Sequence, residues 1–124
     1  MTTKDPPFLL ETNRLIIRSF RDDDLDTFLA YRNEPDVARY QGWDIPYPHE
    51  KAIEFIDEMK NKNPSKPEDW YQAAIIIKGN GEFIGDAAFF IKKDENRKAY
   101  IGCTIMQKYW RKGYGMEATR RLLS

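Results

Sequence analysis

The segment from Trp70 to Met106 constrains this chain more than any other. It holds three β-branched or aromatic stretches in succession: Trp70 to Ile77, Glu82 to Ile91 and Tyr100 to Met106. Only short polar turns separate them, Gly79-Asn80-Gly81 and the charged run from Lys92 to Lys98. Parallel neighbours need crossovers of about a dozen residues or more, which these turns cannot supply. The stretches are therefore predicted to form an antiparallel meander whose first two strands make a hairpin. Ile75-Ile76-Ile77 is strongly β-forming. Gly85, inside the second stretch, is predicted to mark a bulge.

The rest of the chain supplies helices and one more strand. Arg14 to Phe20 is apolar and β-branched and reads as a strand. Asp22-Asp23-Asp24 can cap and charge a helix start. Leu25, Phe28 and Leu29 share one helical face, and Pro35 limits that helix to about Asn33. Asp36 to Tyr40 reads as a further helical turn, and Gln41 to Pro48 as a loop. Pro48 suits the first turn of a second helix, whose stripe Ala52, Ile53, Phe55, Ile56 and Met59 is core packing. Asn61 to Asp69 is a connection, and Met116 onward is helix-forming. Residues 1–9 read as a flexible tail. The order β-α-α-β-β-β-α predicts an α+β fold, with a mainly antiparallel central sheet flanked by helices.

At 124 residues, with 41% hydrophobic content, the chain fits one domain with a real core. One cysteine excludes an intramolecular disulfide framework and a cysteine-based metal cluster. No apolar run approaches the ~20 residues that span a bilayer, so the expectation is a cytoplasmic protein without membrane contact. The 20 Lys+Arg balance the 20 Asp+Glu. The charges are unevenly placed: residues 1–62 carry −4 and residues 63–124 carry +4, with +6 from Lys92 to Arg121. A neutral chain lacks the broad basic face of a nucleic-acid binder. Its basic end can hold a small polyanion instead, or, as a remote alternative, RNA.

The polyanion has an obvious seat. After the third meander strand, Gln107-Lys108-Tyr109-Trp110-Arg111-Lys112-Gly113-Tyr114-Gly115 leads straight into a helix. Amides at a helix N-terminus, beside glycines with no side chain, form an anion site. Arg111 and Lys112 add positive charge, and the arrangement fits a pyrophosphate. A P-loop sequence is absent. Gly113-Tyr114-Gly115-Met116-Glu117-Ala118 matches a dinucleotide fingerprint formally, but an antiparallel meander is the wrong setting for it.

The stretch from Thr104 to Ala118, with Trp110-Arg111-Lys112-Gly113-Tyr114-Gly115 at its centre, resembles the CoA-binding loop of the GNAT acetyltransferases. Its flanks resemble the "Y-W-x-K-G-Y-A/G-x-E-A" run of the RimJ/RimL-like subgroup. Leu10-Glu11-Thr12-Asn13-Arg14-Leu15-Ile16-Ile17-Arg18 resembles that subgroup's "T-x-R-L-x-L-R" first strand. Asn33 to Tyr40 resembles its segment between the first two helices. The similarity runs from about residue 10 to the end. Trp110 stands where the loop motif has Arg or Gln, and Tyr100-Ile101-Gly102 stands where relatives often read Glu-Ile-Gly.

The resemblance implies an N-acetyltransferase that moves acetyl from acetyl-CoA to a primary amine by direct attack in a ternary complex. The acceptor would be a protein N-terminus or a small amine. The main chain of Arg111, Lys112, Gly113, Tyr114, Gly115 and Met116 would hold the pyrophosphate. Ile105 and Met106 would pair with the pantetheine arm like another strand. A bulge in that strand would aim an amide at the thioester oxygen. Tyr40, Trp43 and Asp44 are candidates for the acceptor pocket, and Tyr100 is a weak candidate for proton transfer. No metal is expected. His49 reads as a surface residue and Cys103 as a small core residue. The alternative is a non-enzymatic acyl-CoA-binding module. Relatives continue past a chain of this length, so the expectation is the N-terminal portion of a single domain, residues 1–124. The missing closing strands could then come from a partner in a homodimer or strand-swapped assembly.

Overall fold

The computed structural model describes residues 8–63, 69–92 and 99–123. Five strands form one sheet in the order β1-β2-β3-β4-β5, every neighbouring pair antiparallel. They are β1 (Leu9–Glu11), β2 (Leu15–Arg18), β3 (Trp70–Ile77), β4 (Phe83–Ile91) and β5 (Ala99–Ile105). The helices are α1 (Leu25–Arg32), α2 (Pro35–Gln41), α3 (His49–Lys60) and α4 (Tyr114–Leu123). The expected α+β meander is present.

Several boundaries differ from the expectation, for local reasons. Leu9, assigned to the tail, opens β1, and Leu9 pairs with Arg18 across a tight turn. Thr12 closes that turn: its amide donates to the Leu15 carbonyl and its hydroxyl accepts from the Leu15 amide, both at 2.9 Å. The single turn expected at Asp36–Tyr40 is a full helix, so three helices rather than two join β2 to β3. Pro35 both ends α1 and starts α2, because Glu34 before it is held extended while proline suits the first helical position. The expected charged turn at Lys92–Lys98 lies, from residue 93 onward, outside the described residues.

The bulge sits beside Gly85 rather than on it. Ile75 pairs with Gly85 and Ile76 with Phe83, leaving Ile84 as the extra residue of β4. Gly85 is required for another reason. A Cβ there would lie 2.0 Å from the Thr104 carbonyl oxygen, so β5 can pair this closely only with a glycine. The ladder from β4 to β5 runs without a shift. The bulge expected in the strand ending at Met106 is therefore absent, and the irregularity belongs to β4.

The sheet is covered on both faces, which is why β3 is buried along Ala73-Ala74-Ile75-Ile76. One face carries α1 and α3, where Phe20, Phe28, Tyr31, Ile56 and Phe83 pack together. The other carries α4, whose Ala118 packs with Leu15, Ile17, Ile75 and Ile84. α4 thus lies across the sheet with its N-terminus at the C-terminal end of β5.

Candidate functional site

β5 is the last strand of the sheet, and its outer edge meets the C-terminal end of α2. Met106 donates its amide to the Ile84 carbonyl at 2.8 Å, so its hydrogen-bonding groups face β4. Alternation then turns the main chain of Ile105 and Cys103 to the open edge. Two side chains reach that edge. The Trp110 indole donates to the Ile105 carbonyl at 2.6 Å, and the Gln41 amide donates to the Cys103 carbonyl at 3.2 Å. The expected pairing role of Met106 is thus corrected. Its amide is used by β4 and its side chain packs on the α1 side of the sheet.

A cavity of about 440 Å³ opens beside this edge. Ile105, Arg111, Gly113, Tyr114 and Gly115 line it together with Tyr40. The loop that closes it is unusual in its backbone. Arg111 has φ +65° and Gly113 has φ +82°, both left-handed, so the chain curls twice within three residues. The first α4 hydrogen bond runs from the Glu117 amide to the Gly113 carbonyl at 3.0 Å. The amides of Tyr114, Gly115 and Met116 therefore have no partner within the helix, and the positive end of its dipole lies there. Lys112 is exposed, and Met116 is exposed on the opposite side of α4 from the cavity.

Glu117 fixes this helix end, a role that reading the sequence missed. It accepts the Thr12 hydroxyl, the Arg14 amide at 3.0 Å and the Arg14 Nε at 2.7 Å. Burial pushes its carboxyl pKa up, but the hydrogen bonds from Thr12 and Arg14 outweigh that and hold it below the usual range. Arg14 also lies over the Tyr114 ring at 4.3 Å. The signal was present: Thr12 and Arg14 belong to one quoted motif and Glu117 to the other, and the structure joins them.

The acceptor candidates do not converge. Tyr40 is exposed and packs near Trp110, with ring centroids 5.9 Å apart, so it belongs to the cavity at the loop. Trp43 is half-buried over the Arg32 guanidinium at 4.3 Å and donates to the Arg32 carbonyl at 2.8 Å. Arg32 in turn meets Asp86 at 3.2 Å, and Asp86 also accepts from Tyr31 and from Gln72 at 3.0 Å. Trp43 thereby caps a buried ionic cluster. Asp44 is exposed. Tyr100 stands in an aromatic row with Phe90 and Trp70, about 17 Å along β5 from Ile105 at the usual strand rise, and does not line the cavity. His49 is exposed, as expected. Cys103 is half-buried against Gly115 and Thr119, and burial raises its thiol pKa.

Among the described residues no group of His, Cys, Asp or Glu side chains could hold a metal, and no helix is long and apolar enough to cross a membrane.

Residues 14–124 match the family profile described as "Acetyltransferase (GNAT) domain". The uncharacterized N-acetyltransferase YoaA of Bacillus subtilis (strain 168) is 29% identical over 116 residues, covering 94% of this chain and 64% of that protein. The uncharacterized N-acetyltransferase p20 of Bacillus licheniformis is 27% identical over 118 residues, covering 92% and 63%. The crystal structure of a GNAT-family acetyltransferase from Bacillus anthracis superposes with a TM-score of 0.71 at 25% identity, covering 94% of this chain and 64% of that one. The chain thus spans a little under two thirds of the length of these relatives.

Proposed function

The chain belongs to the GNAT acetyltransferase family, and from that premise we propose that it binds acetyl-CoA and serves acetyl transfer to a primary amine. The observation that carries the proposal is the doubly left-handed loop ahead of α4, with three amides free of helix partners beside the cavity. The residues fit the ligand. Gly113 has no side chain to fill the turn, Arg111 lines the cavity with a cation, and Lys112 beside it is exposed. The amides of Tyr114, Gly115 and Met116 would hold the pyrophosphate. The outward main chain of Ile105 would meet the pantetheine arm, after Trp110 and Gln41 give up the edge carbonyls.

Acetyl-CoA would supply a thioester: an uncharged amine attacks its carbonyl carbon, the C–N bond forms as the C–S bond breaks, and CoA leaves as the thiol with the proton the amine gives up. The chain's part is to hold the donor in place, which lowers the barrier through proximity. An ammonium must first lose its proton. Among the described residues the cavity lining contains no carboxylate and no histidine. The second reading is a CoA-binding module without transfer. The motif pair joined through Glu117 supports the RimJ/RimL-like subgroup, and the acceptor would then be a protein N-terminus or a small amine. The lone cysteine suits a cytoplasmic setting.

The test is a melting curve with acetyl-CoA, CoA, NAD and ATP. A ligand at 100 times its Kd adds about 2.7 kcal/mol, a shift on the order of 10 °C for a chain this size. Both CoA species should raise the melting temperature, and NAD and ATP should not. Absence of a shift with either CoA species refutes the proposal. A shift without acetylation of any amine from a diverse panel selects the binding module.

A further inference from the structure

A second basic groove lies on the other side of Gly113, between the β1–β2 turn and α4. Thr12, Arg14, Met116, Glu117, Arg120 and Arg121 line it, and Gly113 is shared with the cavity already described. Its one carboxylate is spent: both Glu117 oxygens accept from Thr12 and Arg14. Arg121 is anchored by Nε on the Glu11 carbonyl at 3.0 Å. Arg120 is exposed and has no ion pair among the described residues.

Arg14 is the informative member. Its Nε is committed to Glu117 and its plane is held over Tyr114 at 4.3 Å. That leaves the two Nη groups, which no acceptor among the described residues takes. Nη2 lies 3.5 Å from the position a Gly113 Cβ would occupy. A guanidinium is thus pinned from behind with its fork beside Gly113, at the start of α4. Arg120, one helical turn beyond Met116, faces the same groove. Pre-set guanidinium forks match phosphate oxygens two at a time. A phosphomonoester, which carries close to two negative charges at neutral pH, matches the groove in charge.

We propose that Arg14 and Arg120 bind a phosphomonoester that is separate from the diphosphate held on the loop amides. The inference rests on the donor reading given above. On that reading the ligand is the ribose 3′-phosphate of CoA, and the groove distinguishes CoA from the same molecule lacking that phosphate.

The experiment measures the affinity of the full chain for CoA and for dephospho-CoA by calorimetry near physiological salt. The parent should bind CoA about tenfold more tightly, as expected for charge-assisted hydrogen bonds at a partly exposed site. Arg120→Gln and, separately, Arg14→Lys should bring the two affinities to within about threefold by weakening CoA alone; the Lys variant keeps the charge but loses the fork. Melting curves without ligand show that each variant is folded. Equal binding of the two ligands by the parent overturns the inference and leaves the CoA reading standing. A preference that survives in both folded variants also overturns it. A chain that binds neither ligand overturns the CoA reading and this inference together.

Discussion

Replacing Glu117 by alanine tests the link between the two ends of the motif pair. The carboxylate accepts three hydrogen bonds, from the Thr12 hydroxyl, the Arg14 amide at 3.0 Å and the Arg14 Nε at 2.7 Å. The Arg14 side chain is 45% exposed and that of Glu117 21%, so water replaces part of what is lost. The ion pair is therefore worth at most about 1 kcal/mol. The other two bonds are worth about 1 kcal/mol each, the usual net value. Glu117→Ala should then cost about 2–3 kcal/mol, read as a lower urea midpoint at unchanged slope. Glu117→Gln keeps the shape and one acceptor oxygen and should cost about half as much.

The pH dependence supplies a second check. The folded-state pKa of Glu117 is depressed, so its contribution is fully present above the unfolded value of about 4.3. It is lost as pH falls through the folded value. The stability gap between the parent and Glu117→Gln should be constant from pH 6 to 8, by that same reasoning, and close under acid conditions. A Glu117→Ala variant within about 0.5 kcal/mol of the parent, the range of an ordinary surface change, would show that the helix end does not depend on this clasp.

Three other perturbations separate structural residues from functional ones. Gly85→Ala places a Cβ 2.0 Å from the Thr104 carbonyl oxygen and should cost about 3 kcal/mol or more in chemical denaturation, because backbone rather than a flexible side chain must move. Asp86→Ala leaves Arg32 buried without its counter-ion and should cost about 3–5 kcal/mol, with Trp43 fluorescence altered in the folded fraction. Tyr100→Phe should leave the melting shift with acetyl-CoA unchanged, since the ring packs on Phe90 with centroids 6.3 Å apart and does not line the cavity; a reduced shift would return Tyr100 to the site.

The sheet was legible because its turns are short. Three β-rich stretches with tight connections admit one antiparallel arrangement, and β3, β4 and β5 fall within a residue of their expected ends. The loop ahead of α4, with its two left-handed residues, was legible because glycines and cations sit together in sequence. What escaped depends on contacts across the chain. Leu9–Glu11 is too short to show a period, and it becomes a strand only by pairing with β2. The need for Gly85 is set by a carbonyl on another strand. Trp43 looks like a loop aromatic until Arg32 and Asp86 appear beneath it. Met106 belongs to the loop motif in sequence, yet strand alternation turns its amide to β4.

The charge distribution shows the same limit and carries a consequence for the site. Residues 92–121 hold a net +6, which suggests a uniformly basic end. Within it, Lys108 is matched by Glu82 at 3.0 Å and so adds little to the field at the loop. The guanidinium nearest the loop glycine comes instead from Arg14, in the half of the chain that carries a net −4. Its position depends on Glu117, an acidic residue that lowers the local count by one. Removing that acid should therefore not strengthen anion binding, as a sum of charges would suggest. It should weaken it, because the freed Arg14 loses its fixed direction while its charge is screened in any orientation. Affinity for CoA in Glu117→Ala, set against the parent at low and at high salt, decides between the two. A rise on removing the acid would mean that net charge, and not the placement of Arg14, governs the groove.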